Sequence, residues 1–484
     1  METMFTVGVE DLKRLTAQQA VDFFRELLWA EATALGIGRN LINVSTAITI
    51  PDDGIDAEVR NAQLNINRGQ GIIKPNLTCY QIKTGSYSLR VAANVRKLLY
   101  IPKSKSKELQ PKIKSCLAQD GTFVIVLFGW DNPEKEQSKY VDIIRKELTS
   151  SNEKYENAKI EVWLPNQLVG FFNTFPSMAL KVKGIESLHF QPHESWSRNG
   201  DMQKNFERGE AQDKFISTLQ TALRQGDTAV HIHIGGEAGV GKTRYVLEAT
   251  KATDLSPLVI YCYDARKFID SNLMYEILQP DNHSSVILVL DECDSESRVF
   301  IWNRLINQGS RIKLITIYNE FEVISRDTLY LNIPVLNNEQ ISSIIQSYGI
   351  IKDQADHRAD LCDGFPRVAH VIGLNLKNNP EDLLKPLDNI WDRYIVGQDD
   401  RNSAKVYARR LVLRYIALFK RLGYGHLVRV EADTVLGLIK KASSQIDQAQ
   451  FEEIIETLKE RKILQGGQTL YITPKLLHIK LWVD

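Results

Sequence analysis

The sequence lacks the features that mark secreted, disulfide-bonded and membrane-spanning proteins. Only five cysteines occur among its 484 residues, with no CxxC pair, which argues against a disulfide framework and a structural zinc site. They are Cys79, Cys116, Cys262, Cys293 and Cys362. The first residues are charged rather than apolar as in a signal peptide, and no apolar run approaches the roughly 20 residues that a membrane helix needs. We therefore expect a cytoplasmic protein with no membrane partner.

Net charge is also absent, because 60 Lys and Arg residues balance 60 Asp and Glu residues. This balance excludes a wholly basic nucleic-acid coat protein and an acidic disordered tail, although it leaves local patches open. Hydrophobic residues make up 43% of the chain and charged residues 25%, which is typical of a globular protein with real cores. At roughly 150 residues per domain, the length predicts about three domains.

The hydrophobic pattern predicts an α/β multidomain protein. A helix over residues 12–36, followed by β-branched runs of which the first is 41–50, predicts a small α/β domain. Near-continuous Val, Ile and Leu strands after residue 206 predict a parallel sheet buried on both faces, and helices before a hairpin at 464–473 are typical of a winged helix. The predicted units are an α/β domain (1–185), a polar linker (186–205), a parallel-sheet domain (206–335), a helical domain (336–400) and a winged-helix domain (401–484).

The most specific motif is GEAGVGKT at residues 236–243, which matches GxxxxGK[ST] between a predicted strand and a predicted helix. Gly236, Gly239 and Gly241 let the backbone N–H groups curl around phosphates without Cβ clashes. Lys242 is expected to reach the β- and γ-phosphates, and Thr243 to offer its hydroxyl to Mg²⁺. The motif therefore predicts a nucleotide site.

A pair of acids follows the apolar strand VILVL and completes this prediction. Asp291 can hold the magnesium ion and Glu292 can polarise the attacking water, so the two motifs together predict hydrolysis of the nucleotide. After the next strand, Asn319 either senses the γ-phosphate or simply ends the strand. His231 and His233 form an HxH pair before the loop, and core or edge positions fit them better than a metal site.

A second group of residues with catalytic chemistry lies in the N-terminal domain. Asp56 falls in DDGIDA after one predicted strand, and Gln81 and Lys83 fall in YQIKTG at the end of another. Residues two apart in a strand point to the same face, so Gln81 and Lys83 are expected to lie together. Phosphodiester cleavage needs oxygen ligands for a divalent cation, such as Asp56, and a lysine that holds or deprotonates the water. Taken singly, Asp56 also fits a turn and Lys83 a solvated strand end.

These N-terminal motifs resemble the PD-(D/E)xK nuclease core in its variant with glutamine as the middle residue. The resemblance implies a restriction-endonuclease-like α/β domain in which Asp56, Gln81 and Lys83 are catalytic. It also implies a metal-binding glutamate from the first helix. Glu31 and Glu26 are the candidates for that ligand, and we prefer Glu31.

A basic segment follows this group of residues, with seven cations and one acid, Glu108. A surface that tracks DNA phosphates and an ordinary solvated face are both compatible with it. The cations are Arg96, Lys97, Lys103, Lys105, Lys107, Lys112 and Lys114.

The C-terminal part of the chain adds a third motif, Gly364-Phe-Pro366, in a helical region after the acid pair. The order of phosphate loop, acid pair, Gly-x-Pro and winged helix resembles the STAND NTPases over roughly residues 206–484. The resemblance implies that Pro366 packs against the adenine base of ATP and that His478 touches a nucleotide phosphate, although a place on the helix surface fits His478 equally. The family's entry motif is scrambled here as Phe206-Glu-Arg-Gly-Glu210, so no adenine contact is assigned to it.

The whole arrangement resembles the antiviral STAND proteins of bacteria and archaea, in which a nuclease precedes the NTPase. The resemblance implies ATP and Mg²⁺ as cofactors, a homo-oligomer (a tetramer in the family) and double-stranded DNA as the substrate. It also implies a phage protein, terminase or portal, as the trigger, recognised by a C-terminal sensor that is absent from this sequence. Two other functions stay open: a restriction-type nuclease that translocates on DNA, and a non-enzymatic STAND regulator that binds DNA.

Overall fold

The chain folds as a mixed α/β protein with parallel strands and many helices. A computed structural model describes residues 4–45, 53–62, 71–85, 87–101, 107–129, 134–187, 189–225, 229–279, 283–319, 327–378, 395–396, 403–461, 463–466, 468–473 and 475–483. Within this described part, no helix combines the length and apolar character needed to cross a bilayer.

The N-terminal unit contains a five-stranded sheet in the order β1-β2-β3-β4-β5. Its first three strands pair antiparallel and its last two join in parallel. The strands are β1 (Ile42–Val44), β2 (Ala57–Ala62), β3 (Asn76–Lys83), β4 (Thr122–Leu127) and β5 (Ile160–Trp163). The helices are α1 (Val9–Lys13), α2 (Ala17–Ala34), α3 (Ala92–Leu99), α4 (Pro111–Ala118), α5 (Gln137–Ser151), α6 (Pro165–Asn173) and α7 (Pro176–Lys183).

The first predicted helix is in fact two helices, divided by a capping box. The hydroxyl of Thr16 accepts a bond from the backbone N–H of Gln19, and the Gln19 side chain accepts one from the N–H of Thr16. Such reciprocal bonds satisfy helix N–H groups that have no partner within the helix, so α2 starts afresh after Thr16. The predicted strand 41–50 is described only as far as Ser45, and β2 begins directly after the predicted turn, where the pattern did not indicate a strand.

The second unit contains a six-stranded sheet in the order β11-β7-β10-β9-β8-β6. Five of its strands are parallel, four of them predicted from their continuous apolar character, and β6 pairs antiparallel with β8. The strands are β6 (Phe190–Pro192), β7 (Val230–Gly235), β8 (Val259–Cys262), β9 (Val286–Leu290), β10 (Ile312–Ile317) and β11 (Leu329–Asn332). The helices are α8 (His193–Ser197), α9 (Glu210–Arg224), α10 (Lys242–Thr250), α11 (Ala265–Ile269), α12 (Asn272–Leu278) and α13 (Ser295–Leu305).

The stretch 186–205, predicted as a linker, contributes to this sheet. Its strand β6 extends the sheet beyond β8, and α8 packs behind it with Trp196 fully buried. The sequence pattern missed these elements because a three-residue strand and a five-residue helix are too short to show a period. The edge strand β11 was missed for the same reason.

Helices predominate after residue 336, as predicted, and a three-stranded antiparallel sheet follows in the order β12-β14-β13. The helices before residue 400 are α14 (Asn338–Gln346), α15 (Lys352–Ala359) and α16 (Pro366–Asn378). The later elements are α17 (Ala404–Ala417), β12 (Leu422–Gly423), α18 (Arg429–Ala442), α19 (Gln448–Glu460), β13 (Leu464–Gln465), β14 (Thr469–Ile472) and α20 (Lys475–Val483).

One apolar core joins the first two units and the helices that follow them. It extends from Phe24 and Tyr80 beside the N-terminal sheet, through Ile232 and Val246 of the second unit, to Val368 of α16. The N-terminal unit therefore packs against the unit that carries the phosphate-loop motif, through helices α2 and α7.

Candidate functional site

The loop between β7 and α10 has the backbone that phosphate binding requires. Gly236, Gly239 and Gly241 have φ angles of 143°, 95° and 96°, in a region that side chains with a Cβ rarely adopt. The loop therefore depends on glycine at these positions, and it ends at the N-terminus of α10, where N–H groups without helical partners favour an anion.

Lys242 lies folded over this loop. Its Nζ donates hydrogen bonds to the carbonyl oxygens of Gly236 and Glu237, both at 2.9 Å, and to Oδ1 of Asn319 at 2.7 Å. Burial lowers the pKa of Lys242 to about 8, and nearby carboxylates oppose that shift. The ammonium group is thus held at the mouth of the loop, and the structure brings Asn319 to the same point.

The hydroxyl of Thr243 and the carboxylate of Asp291 lie side by side. Thr243 Oγ1 donates to Asp291 Oδ2 at 2.7 Å, and the hydroxyl of Tyr261 donates to the same oxygen at 3.1 Å. Burial raises the pKa of Asp291. This hydroxyl and carboxylate form a pair of oxygen ligands that suits Mg²⁺.

Glu292 is held in a strained backbone conformation beside this pair. Its φ is 47°, in the left-handed region, and its N–H donates to Asp291 Oδ1 at 3.0 Å. Although Glu292 is exposed at the surface, desolvation by the atoms crowded around its carboxylate raises its pKa to about 7, and the charge of Asp291 adds to the shift. A carboxylate with this pKa can accept a proton near neutral pH.

The Gly-x-Pro segment lies against the phosphate loop. A Cβ built on Gly241 would lie 3.7 Å from Cγ of Pro366, and the N–H of Arg367 donates to the carbonyl of Gly239 at 3.4 Å. The positive charge of Arg367 also lowers the pKa of Lys242. The sequence analysis missed Arg367, and the signal that could have found it is a cation directly after the proline.

The C-terminal unit also reaches the site, but through other residues than the one expected. The hydroxyl of Tyr471 accepts a hydrogen bond from the side-chain amide of Asn319 and donates one to Glu292 Oε1 at 3.5 Å. His478 is instead hydrogen bonded through Nε2 to the carbonyl of Ala417, 2.9 Å away on α17. The structure does not bring His478 to the loop, because α20 turns that side chain towards α17, and Tyr471 of β14 makes the contacts with the site.

The two histidines before the loop are buried in the sheet. His231 and His233 bond to Oγ1 of Thr316 on β10 at 3.0 and 2.9 Å, and burial lowers the pKa of His231 to about 3. Among the described residues, no three His, Cys, Asp or Glu side chains come together as a metal site.

In the N-terminal unit, Asp56 is fixed against the end of β3. Its carboxylate accepts a hydrogen bond from the N–H of Ile82 at 2.5 Å, and its own N–H donates to the carbonyl of Tyr80 at 2.9 Å. Burial lowers the pKa of Lys83, and the charge of Asp56 acts in the opposite direction. Because the Asp56 carboxylate bonds to the N–H of Ile82, the neighbour of Lys83, both residues lie at the end of β3.

Gln81 lies beside them with its side chain 5% exposed. Its Oε1 is buried and has no hydrogen-bond partner in the described part of the chain. Buried polar atoms are nearly always satisfied, so an amide oxygen without a partner next to a carboxylate suits a position that accepts a cation. Alternation along β3 places Gln81 and Lys83 on the same face as Cys79, which packs against α3 and α4.

Glu31 lies on the opposite face of the sheet. Its helix, α2, packs against the face that carries Tyr80, and a Cβ on Gly71 would lie 1.9 Å from Glu31 Oε1. The other candidate from α2, Glu26, forms an ion pair with Lys181. The structure thus does not bring a glutamate of the first helix to the Gln81 face, because α2 covers the other side of the sheet.

The burial of Glu31 instead makes the stability of the protein depend on pH. Burial raises its pKa to about 7, above the value of 4.5 expected when unfolded, so the folded state binds the proton more tightly. The stability from this group is complete at low pH and is lost as the pH rises through about 7. Between pH 5 and 8 the wild type should therefore lose about 2 to 3 kcal/mol more of its free energy of unfolding than Glu31→Gln. Denaturant titrations of both proteins at each pH measure the difference, and parallel curves would refute it.

The helices α3 and α4, which carry Arg96, Lys97, Lys112 and Lys114, pack on the Gln81 face. The charge of Lys97 also lowers the pKa of Lys83. Arg96 and Lys107 form ion pairs with Glu147 at 3.4 and 3.1 Å, so part of the segment is neutralised within the unit. Lys103 and Lys105 lie outside the described residues.

Comparisons with known proteins give only distant likenesses. No protein-family model matches the chain, and neither does any curated protein. A STAND protein with a tetratricopeptide repeat sensor from Pyrococcus horikoshii is 13% identical with a TM-score of 0.30, over 58% of this chain and 43% of its own. The Orc1 protein of Aeropyrum pernix in complex with DNA is 14% identical, with a TM-score of 0.33, over 62% of this chain and 98% of its own.

The RuvB Holliday junction branch migration motor of Thermotoga maritima is 17% identical with a TM-score of 0.30, over 58% of this chain and 97% of its own. The chain spans less than half the length of the STAND protein it resembles. At such low TM-scores the likenesses carry no argument about function, which is argued below from the geometry of the chain itself.

Proposed function

We propose that the chain is an ATP-regulated, metal-dependent DNA endonuclease. ATP and Mg²⁺ bind at the loop 236–243, and the N-terminal unit cleaves the phosphodiester backbone. The observation that supports the nuclease most strongly is the buried Gln81 oxygen, which has no partner among the described residues and lies on the strand whose end holds Asp56 and Lys83. Plasmid cleavage with and without ATP tests the proposal.

In the nucleotide site, each residue has a role that its position supports. The loop glycines expose N–H groups to the phosphates, and Lys242 moves from the loop carbonyls to the β- and γ-phosphate oxygens. Thr243 and Asp291 hold the magnesium ion, which neutralises charge on the phosphates when bound. Glu292 accepts the proton of the attacking water, and Asn319 contacts the γ-phosphate.

Pro366 borders the nucleotide from the next unit. It packs against the loop at Gly241, and Arg367 beside it brings a further positive charge to the phosphates. The order of these units supports a STAND-type NTPase with a C-terminal winged helix. The helices α17, α18 and α19, followed by the β13-β14 hairpin, have the composition of that module.

In the nuclease site, Asp56 and the Gln81 amide oxygen would hold the divalent cation. That cation supplies polarisation of the phosphate and a lower pKa for the attacking water. Lys83 positions that water and offsets charge on the scissile phosphate, and its lowered pKa makes proton transfer easier. The antiparallel and parallel pairs around β3, with a helix on each face, support a restriction-endonuclease-like unit.

The biological setting that we propose is antiphage defence. Nucleotide binding favours a homo-oligomer, a tetramer by the resemblance described above, which gathers several nuclease units on double-stranded DNA. A ligand shifts such an equilibrium only by binding one state better than the other. A movement of the C-terminal unit would change the hydrogen bond between Tyr471 and Glu292, so this contact differs between the two states. A phage terminase or portal protein is the proposed trigger.

Replacing Glu292 with glutamine separates nucleotide binding from hydrolysis. The amide keeps the shape of the side chain but cannot accept the proton, so we expect ATP affinity to change little while the hydrolysis rate falls by about 10² to 10⁴-fold. In the wild type the rate should rise with pH through about 7, as Glu292 loses its proton. Phosphate-release assays from pH 6 to 8 measure the fall in hydrolysis rate and its dependence on pH. Glu296→Gln on α13 is the control. An unchanged rate in Glu292→Gln would remove Glu292 from the mechanism.

A further inference from the structure

Residues 190–203 follow the N-terminal unit and form the edge of the second sheet beside the nucleotide site; we name this segment the connector. Its strand β6 pairs antiparallel with β8, from Phe190 opposite Cys262 to Pro192 opposite Ile260. Its helix α8 packs near α10, where Nε2 of His193 bonds to the carbonyl of Leu247 at 3.1 Å. The connector is therefore held against α10, which begins at the phosphate loop, and against β8, which carries Tyr261.

An aromatic stack joins the connector to Asp291. The rings of Trp196 and Tyr261 are parallel within 2°, with centroids 4.4 Å apart, and Trp196 is fully buried. The hydroxyl at the far end of the Tyr261 ring donates to Asp291 Oδ2 at 3.1 Å. A shift of the Asp291 carboxylate that displaces this hydroxyl moves the buried tyrosine ring, and the ring is stacked directly on the indole.

The other side of the connector contacts the N-terminal unit. Glu194 of α8 lies 3.6 Å from Nζ of Lys181 on α7, and the same ammonium pairs with Glu26 on α2. A continuous series of contacts thus runs from Asp291 through the stack and α8 to the helices that cover the N-terminal sheet.

We infer that Tyr261 and Trp196 are positioning residues that set the orientation of Asp291 and transmit occupancy of the magnesium–nucleotide site to the connector. Asp291 Oδ2 accepts from both Thr243 and Tyr261, so a cation bound at this oxygen changes what the tyrosine hydroxyl can bond. This inference rests on the proposed nucleotide site but does not require that the N-terminal unit be a nuclease.

The test is amide hydrogen exchange, which reads the connector directly rather than an activity. In the wild type, Mg²⁺ with ATP should slow exchange in peptides from both the loop 236–243 and the connector. Tyr261→Phe keeps the stack and removes one hydroxyl, so the variant should fold. We expect it to keep the protection of the loop at saturating ATP, to lose most of the protection of the connector, and to need about 3- to 10-fold more Mg²⁺ for half-maximal ATP binding.

Two further variants separate the contribution of the stack from general effects. Tyr275→Phe removes a hydroxyl from a tyrosine that is 68% exposed on α12, and it should behave like the wild type. Trp196→Phe weakens the stack while Tyr261 keeps its bond to Asp291. This variant should reduce protection of the connector and leave the Mg²⁺ requirement near that of the wild type.

The possible failures are distinguishable. If neither the loop nor the connector of the wild type is protected by Mg²⁺ and ATP, the proposed nucleotide site itself is wrong. If the loop is protected but the connector is not, or if Tyr261→Phe matches the wild type in both connector protection and Mg²⁺ requirement, the nucleotide site stands and the inference is overturned.

Discussion

Lys242→Ala is expected to abolish nucleotide binding at micromolar ATP. The ammonium group is the cation that the loop presents to the phosphates, and each charge-assisted hydrogen bond to a phosphate oxygen contributes about 1.5 to 3 kcal/mol. Losing contacts to two phosphates should therefore lower ATP affinity by roughly 100-fold or more. Calorimetric titration with ATP and Mg²⁺ measures the change.

The same variant should fold as well as the wild type. In the absence of nucleotide, Lys242 is 8% exposed and bonds to neutral oxygens, a cost of burial that alanine removes. Thermal unfolding of the free variant should consequently occur at or above the wild-type temperature, whereas ATP should stabilise only the wild type. Lys267→Ala, at an exposed position on α11, is the matched control. ATP affinity in Lys242→Ala within a factor of about three of the wild type would contradict the nucleotide site.

Asp56→Asn and Lys83→Ala are each expected to reduce DNA cleavage by at least about 100-fold, the scale of losing one electrostatic group from an active site. The first variant removes the charged ligand of the cation, and the second removes the group that positions the water. Both residues belong to the N-terminal unit and not to the loop 236–243, so ATP affinity should stay unchanged. Conversion of supercoiled plasmid to nicked and linear forms measures the rates.

Controls of the same chemistry lie on the exposed face of one helix of the same unit. Asp142 and Lys139 are on α5, 62% and 70% exposed, and Asp142→Asn and Lys139→Ala should cleave at the wild-type rate. Cleavage by Lys83→Ala at the wild-type rate would remove the proposed nuclease site. A loss in the control variants as well would show that the effect is not specific to Asp56 and Lys83.

The sequence predicts best where chemistry and backbone depend on the same few adjacent residues. The phosphate loop is such a case, because glycine, lysine and threonine at fixed spacing set both its φ angles and its ligands. Asp291 and Asn319 could be placed beside it because both follow buried parallel strands, whose carboxyl ends meet at one edge of the sheet.

Residues whose role depends on packing between units could not be placed in this way. Glu31 lies on a predicted helix and has a carboxylate that could bind a metal ion. Whether it meets Gln81 depends on which face of the sheet α2 covers, and the sequence does not determine that face. His478 and Tyr471 are separated by seven residues, and the turn between β14 and α20 decides which of them faces Glu292. Trp196 lay in a stretch without a detectable period, so its stack on Tyr261 could not be expected.

The most direct test of the account is whether nucleotide controls DNA cleavage in one chain. Plasmid nicking by the wild type at saturating Mg²⁺ should be faster with ATP than without it, and Lys242→Ala should show one low rate under both conditions. Equal nicking by the wild type in the presence and absence of ATP would contradict the claim that the nucleotide site governs the nuclease.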